Sequence, residues 1–282
     1  MSETRLAHIS DIHFGGRADL PQLVALERFL PTLDLDAIIV SGDVSLRARH
    51  GELQAAMRYL DGLRQHAPVH LVPGNHDVQW WRSPLGLLGT RVMYGKWRRY
   101  FGEDLTPVLE LDDVIIAGML SANGLSWGSL TGNPNDCSVK GDLPASEVAR
   151  VTRLFAAAPA HKVRVAVLHH NVLPGVVSHR WGLARPRQAQ RRLVESGADL
   201  VCCGHDHTEG SGQLAGRVVV STAGTHCIRT RGGRVSAFNL LRITGDRIVV
   251  EHQLYDKDRA TFRPGDTAAY ARTRSAAAQP VR

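Results

Sequence analysis

Five short apolar runs, each ending on an Asp, Asn or His, constrain this chain more than any other feature. Leu6-Ala-His-Ile-Ser runs into Asp11, Ala37-Ile-Ile-Val into Ser41-Gly-Asp43, and Val69-His-Leu-Val into Pro73-Gly-Asn75. Val163-Arg-Val-Ala-Val-Leu ends at His169, and Leu200-Val-Cys-Cys ends at Gly204-His-Asp-His207. Runs of this length and composition read as buried strands. Between them apolar residues recur at three and four, at Leu20, Leu23, Leu26 and Leu30, then at Leu53, Ala56, Leu60 and Leu63, as on amphipathic helices. Strand and helix alternate with the ~30-residue period of βαβ crossovers, so the chain reads as α/β on a mostly parallel or mixed sheet. In such a sheet the carboxyl ends of the strands face one crevice. The pattern therefore predicts a single cluster of ligand-type side chains.

Val114-Ile-Ile-Ala-Gly resumes the strand pattern, Val148, Val151, Leu154 and Phe155 mark a further helix, and β-rich stretches at 217–222, 235–243 and 247–254 close the sheet. Residues 1–255 are expected to form the folded domain, with 80–105 as a cap-like insertion. Residues 256–282, rich in Arg and Ala and poor in large apolar groups, are expected to be a basic surface tail. At 282 residues, 43% hydrophobic and 22% charged, the composition is globular and excludes a disordered chain. No apolar run approaches the ~18 residues of a transmembrane helix, and no secretory h-region follows the N-terminus. The four cysteines show no disulfide framework, and Cys202-Cys203 read as small core residues. A reducing, cytoplasmic setting is expected.

Asp11 and His13 stand at i and i+2, as do His205 and His207, so on an extended backbone each pair points to one side. Two carboxylates, one amide oxygen and four imidazoles exceed the needs of one tetrahedral ion and suit two ions sharing a carboxylate. Such a pair, ~3.5–4 Å apart, favours in-line displacement at phosphorus. Taken singly, an Asp or His at a strand end is more often a turn former or helix cap. Strand alternation makes His169 and His170 face opposite ways, so only one of them joins the cluster.

Asp11-x-His13, Gly42-Asp43, Gly74-Asn-His-Asp77, His169 and Gly204-His-Asp-His207, in this order, closely resemble the motifs of the calcineurin-like metallophosphoesterase superfamily over roughly residues 5 to 225. The resemblance implies a four-layer αββα sandwich of two mixed sheets flanked by helices, with a dinuclear metal site at the strand C-terminal ends. It implies that Asp11, His13 and His207 hold one divalent ion, that Asp43 bridges, and that Asn75, His169 and His205 hold the second; the ions would be Mn, Fe or Zn. His76 matches the histidine that contacts phosphate and protonates the leaving oxygen, and Asp77 would orient its imidazole. In this family a metal-bridging hydroxide attacks phosphorus in line. The absence of Tyr after Asp43 departs from purple acid phosphatases, and His76 departs from the UDP-diacylglucosamine pyrophosphatases, which carry Arg there. Length, Gly74-Asn-His-Asp and Leu168-His-His resemble the bacterial class III cyclic-nucleotide phosphodiesterases.

The expected activity is hydrolysis of phosphodiesters, with phosphomonoesters as further candidates, in small nucleotide-type substrates such as 3′,5′-cyclic AMP. Residues 80–101 carry six aromatics and five cations without an acid. There Trp80 and Trp81 would stack on a base and Arg82 would hold phosphate, unless the segment is an ordinary helix packed on the core. A basic loop at 179–192 would guide an anionic substrate or simply be solvated. His170 and His226 are candidates for the margin of the site. A net charge of +7 permits a nuclease. With 80–101 as an interfacial helix, a membrane-surface lipid phosphoesterase or pyrophosphatase in peripheral contact with lipid is also compatible. A non-catalytic scaffold is disfavoured, since scaffolds lose ligands and none is missing from this set.

Overall fold

The computed structural model describes residues 2–83, 87–133, 136 and 138–272. Cys137 and the last ten residues of the expected tail lie outside them. Two six-stranded mixed sheets lie face to face. In the first, β1 (Thr4–Ile9), β2 (Ala37–Val40) and β3 (Val69–Leu71) run parallel, and β10 (Ala237–Ile243), β11 (Arg247–Asp256) and β12 (Thr261–Ala271) extend it antiparallel from β1. In the second, β5 (Val114–Gly118), β6 (Val163–Val167), β7 (Leu200–Cys203) and β9 (Val218–Thr222) are parallel, with β4 (Val108–Glu110) and β8 (Gly210–Leu214) as antiparallel edges.

Alternation along each strand builds the layers. Leu6, Ile39, Ile116, Val165, Cys202 and Val219 point into the space between the sheets. Their neighbours Ala7, Ile9, Ile38 and Val40 face outward into a second core with α1 (Leu20–Phe29) and α2 (His50–Arg64). Ile115, Ala166, Val201 and Cys203 face outward on the other side, against α5 (Ala145–Ala157) and α6 (Pro186–Glu195). These layers are the expected four-layer sandwich. Strands buried on both faces need continuous apolar runs, which is why they stand out in the sequence.

One polar seam crosses the inter-sheet core. His8, fully buried on β1, places Nδ1 2.8 Å from Ser221 Oγ on β9 and Nε2 2.9 Å from Ser41 Oγ. Asn239 Nδ2 donates to Ser221 Oγ and to the Thr222 carbonyl, each at 2.8 Å. Burial pushes His8 down to about 3, so it is held neutral.

Two expectations about organisation are corrected. Residues 261–271 are not a surface tail: they pair along β11 as an edge strand, anchored by Phe262 among Phe29, Phe238 and Tyr255. The segment at 80–105 is less a cap than part of the helical layer. It contains α3 (Gly89–Met93) and α4 (Gly95–Phe101), and Met93, Tyr94 and Trp97 are buried in the outward core beside α2. No described helix is long and apolar enough to cross a membrane.

Candidate metal centre

All seven expected ligand residues lie just beyond the carboxyl ends of β1, β2, β3, β6 and β7. Asp11, His13, Asp43 and His169 are essentially inaccessible to solvent. The backbone that aims them is not extended. Asp11 and His13 each have φ 55°, Asp43 has 53°, His205 has 72° and His207 has 62°. Five left-handed non-glycine residues at one site are costly, and surrounding structure must hold them. The loops after β1 and β2 keep pairing past their strands, Asp11 N to Gly42 O at 3.1 Å and His13 N to Asp43 O at 3.0 Å. Thr225 Oγ1 and His226 N both donate to the Asp11 carbonyl. The expected pairs are thus present on a different backbone: alternating left-handed residues, not a pleat, turn each pair inward.

The two carboxylates are held alike. His205 N donates to Asp11 Oδ2 at 2.9 Å, and His76 N donates to Asp43 Oδ1 at 2.9 Å. Each amide leaves one carboxylate oxygen for the interior. Asp11 Oδ1, buried and without a hydrogen-bond partner, faces His207 Nε2 at 3.2 Å and His13 Nε2 at 3.5 Å. Asp43 Oδ2 lies 3.3 Å from His169 Nε2, 3.8 Å from His13 Nε2 and 4.0 Å from His76 Nε2. Asn75 Oδ1 completes the second group, 3.1 Å from His169 Nε2 and 3.0 Å from His205 Nδ1. The donor atoms fall into clusters Asp11/His13/His207 and Asp43/His169/His205, with Asp43 also grouped with His13 and His76. Asp43 thus belongs to the second cluster and, through His13, neighbours the first.

Backbone carbonyls set the imidazole tautomers. His169 Nδ1 donates to Ser41 O at 2.8 Å, His207 Nδ1 to Arg229 O at 3.2 Å, and His76 Nδ1 to Leu46 O at 2.8 Å. Each bond turns the Nε2 lone pair toward the carboxylates, as a metal-ligating histidine requires. Electrostatics carry the same message. Burial opposes charge on His169 and His207, yet Asp43 lifts His169 to about 9 and Asp11 lifts His207 to about 11, whereas burial and the neighbouring His169 push His205 down to about 3. Against the burial that would raise them, the carboxyls of Asp11 and Asp43 are held well below their ordinary range by those imidazoles. Inward lone pairs, an orphaned carboxylate oxygen and a site that draws positive charge fit divalent cations.

Two glycines make the approach possible. A Cβ on Gly74 would lie 2.1 Å from Asp43 Oδ1, and one on Gly204 would lie 2.0 Å from Ser10 Oγ and 2.6 Å from Asp11 Oδ2.

Several expected roles change. Asp77 does not touch the His76 imidazole; its carboxylate accepts from Ser45 N, Ser45 Oγ, Gly74 N and Val44 N, tying the Gly74–Asp77 turn to the loop after Asp43. Burial and the nearby Asp43 push it up to about 6. The partner that orients His76 is the Leu46 carbonyl, invisible to sequence because any residue supplies one. His170 is not at the margin: fully buried, it bonds Ser121 Oγ at 2.9 Å and Val139 O at 3.1 Å and backs His169 and His205 ring to ring. His226 is likewise interior, with Nδ1 on Gln22 Nε2 at 3.0 Å and its ring against Phe262. Trp80, Trp81 and Arg82 form a 3-10 turn soon after Asp77, in which Trp81 is half exposed and Arg82 is exposed. No hydrogen bond, ion pair or ring contact among the described residues joins these three to the cluster.

The profile of a family described as calcineurin-like phosphoesterase matches residues 4–209. A glycerophosphodiester phosphodiesterase, GpdQ, of Enterobacter lignolyticus is 38% identical over 145 residues, covering 43% of this chain and 49% of that protein. The chain thus aligns with about half the length of that relative. Purple acid phosphatase from yellow lupin superposes with a TM-score of 0.69 at 12% identity, over 96% of this chain and 54% of the lupin chain. A dimetal phosphatase of Danio rerio superposes at 0.62 and 14% identity, over 96% of this chain and 99% of its own.

Proposed function

The chain belongs to the calcineurin-like phosphoesterase family, and on that premise we propose that it is a dinuclear metal-dependent hydrolase of small phosphodiesters, among them nucleotide-type substrates such as 3′,5′-cyclic AMP. The observation that carries this reading is the pair of donor clusters linked through the His13/Asp43/His76 group. Two divalent ions held there would supply Lewis acidity at the phosphoryl oxygens and a nucleophile at neutral pH.

The chain's own groups do the rest. Asp11, His13 and His207 would hold one ion and Asn75, His169 and His205 the other, with Asp43 between. The carbonyls of Ser41 and Arg229 keep His169 and His207 in the ligating tautomer. His76 Nε2, 4.0 Å from Asp43 Oδ2 and held by Leu46, is placed to meet the phosphoryl group. There it would give a proton to the departing oxygen, so that water and diester yield a monoester and an alcohol. Asp77 fixes the turn that carries Asn75 and His76. Exposed Trp81, four residues after Asp77, is the flat surface available to a base. Buried free thiols at Cys202, Cys203 and Cys227 support a reducing, cytoplasmic setting.

The test is reconstitution with Mn(II), metal analysis, and turnover of bis(4-nitrophenyl) phosphate, 4-nitrophenyl phosphate and 3′,5′-cyclic AMP. Two bound ions with diester turnover are expected. His76→Ala should retain both ions and lose rate chiefly on the alkoxide leaving group of the cyclic nucleotide, by ~10²-fold or more. A fully loaded protein inert toward every ester would overturn the reading.

A further inference from the structure

A cavity of about 290 Å³ opens beside His205 and is lined in part by Lys140, Arg180, Trp181, Asp206 and Arg231. Through His205 it shares a wall with the Asp43/His169/His205 cluster. Its charge is mixed but positive: three cations stand against Asp136 and Asp206. Asp136 accepts from Thr131 Oγ1 at 2.8 Å and Asp206 Oδ1 accepts from Ser178 Oγ, while Asp206 Oδ2 is buried without a hydrogen-bond partner. Lys140 Nζ is also engaged, by the Trp181 carbonyl. The guanidinium groups of Arg180 and Arg231 make no hydrogen bond or ion pair within the described residues.

These two arginines are not on loose loops. Asn171, two residues after His169, donates from Nδ2 to the carbonyls of Leu173 at 2.7 Å and Arg180 at 3.0 Å. Gly141 N then bonds Gly182 O, and Ala184 N bonds Gly141 O, both at 2.9 Å. Arg231 lies two residues beyond Arg229, whose carbonyl accepts from His207. The backbone that carries each arginine is thereby tied to a segment next to the metal centre. Forked donors left unpaired beside a phosphoester site match an oxyanion.

We propose that this cavity is a second anion subsite, so that the preferred substrates carry a further phosphate or carboxylate besides the scissile diester. The inference rests on the phosphodiesterase reading above and narrows its substrate class. An anion in the cavity pairs with Arg180 and Arg231 while the scissile phosphate occupies the centre at Asp43. Diesters without a further anionic group engage only the centre.

The test uses the Mn-loaded full chain and calorimetric binding of two matched pairs, AMP with adenosine 3′,5′-bisphosphate, and glycerol 3-phosphate with 3-phosphoglycerate. The doubly anionic member of at least one pair should bind ~10-fold or more tightly; the pair that shows the gap tells phosphate from carboxylate. In Arg180→Gln/Arg231→Gln the gap should shrink to ~2-fold, and in wild type it should narrow as salt is raised. Equal binding within both pairs, or a gap that survives in the double variant, overturns the proposal. Turnover of diesters lacking a further anionic group, without any gap, would leave the phosphodiesterase reading standing and remove the subsite. A gap without turnover would do the reverse.

Discussion

Protonation of histidines outside the metal centre should make this fold acid-labile. Burial holds His8 and His226 at about 3 and His70 at about 4, against roughly 6.5 in an unfolded chain. Between those values the unfolded state binds more protons than the native one, so stability is fullest above about pH 6.5 and falls as pH drops. From pH 7.5 to 4.5 each group costs a few kcal/mol, or about 8 kcal/mol for the three. That is comparable with the whole stability of an ordinary domain, about 5–15 kcal/mol. His169 and His207 titrate the other way, because their folded values are raised. Their contribution is complete below about 6.5 and is lost only as pH rises toward 9 and 11, so it is flat in the acid window. The perturbation is His8→Gln, which removes one titrating group from the inter-sheet seam. Urea unfolding at half-unit pH steps, with chelator held constant, gives the slope of stability against pH. Between pH 6 and 5 that slope should be smaller in the variant by about 1 kcal/mol per unit. A slope equal to that of wild type would refute the idea, since it would mean that His8 takes up its proton in the folded state.

Two further outcomes follow from close contacts. Gly74→Ala would drive a methyl to 2.1 Å from Asp43 Oδ1 and 2.4 Å from Asp43 N, displacing the carboxylate that joins His169 and His205 and neighbours His13. Bound metal should drop to one ion or fewer per chain, with ~10–100-fold weaker affinity, and two fully occupied ions by metal analysis would contradict that. Phe262→Ala should cost about 3–5 kcal/mol, because its ring meets those of Phe29, Phe238, Tyr255 and His226 at 5.2–6.1 Å. A loss below about 1 kcal/mol in urea midpoints would mean that 256–272 behaves as a surface tail after all.

The ligand set was legible in the sequence because polar residues ending apolar strands stand out against their neighbours. Asp11, Asp43, Asn75, His169 and His205 had no apolar alternative to hide among. The conformations that aim them were not legible, because left-handed φ at Asp or His leaves no mark when no glycine is demanded. His170 and His226 resemble rim residues by adjacency alone; only burial reveals them as packing partners. Strand β12 is hidden in the sequence because an edge strand needs one apolar anchor, here Phe262, and tolerates Arg263, Asp266 and Thr267 on its open side. The aromatic stretch at 80–101 was ambiguous for a related reason. Trp81 is half exposed while Trp97 is buried, and helical spacing alone does not separate the two.

The His8 seam acquires a mechanical meaning from where the donors originate. Asp11, His13, Asp43 and Asn75 follow strands of the first sheet, whereas His169, His205 and His207 follow strands of the second. Each cluster thus draws donors from both sheets, so any sliding of one sheet over the other would change the donor spacing within each cluster. Apolar surfaces resist shear weakly, since one methyl contact replaces another at little cost. An imidazole bonded at 2.8 Å to a serine of one sheet and at 2.9 Å to a serine of the other tolerates no such drift. The seam works as a dowel, transferring the registry of the two sheets to the gauge of the dinuclear cradle.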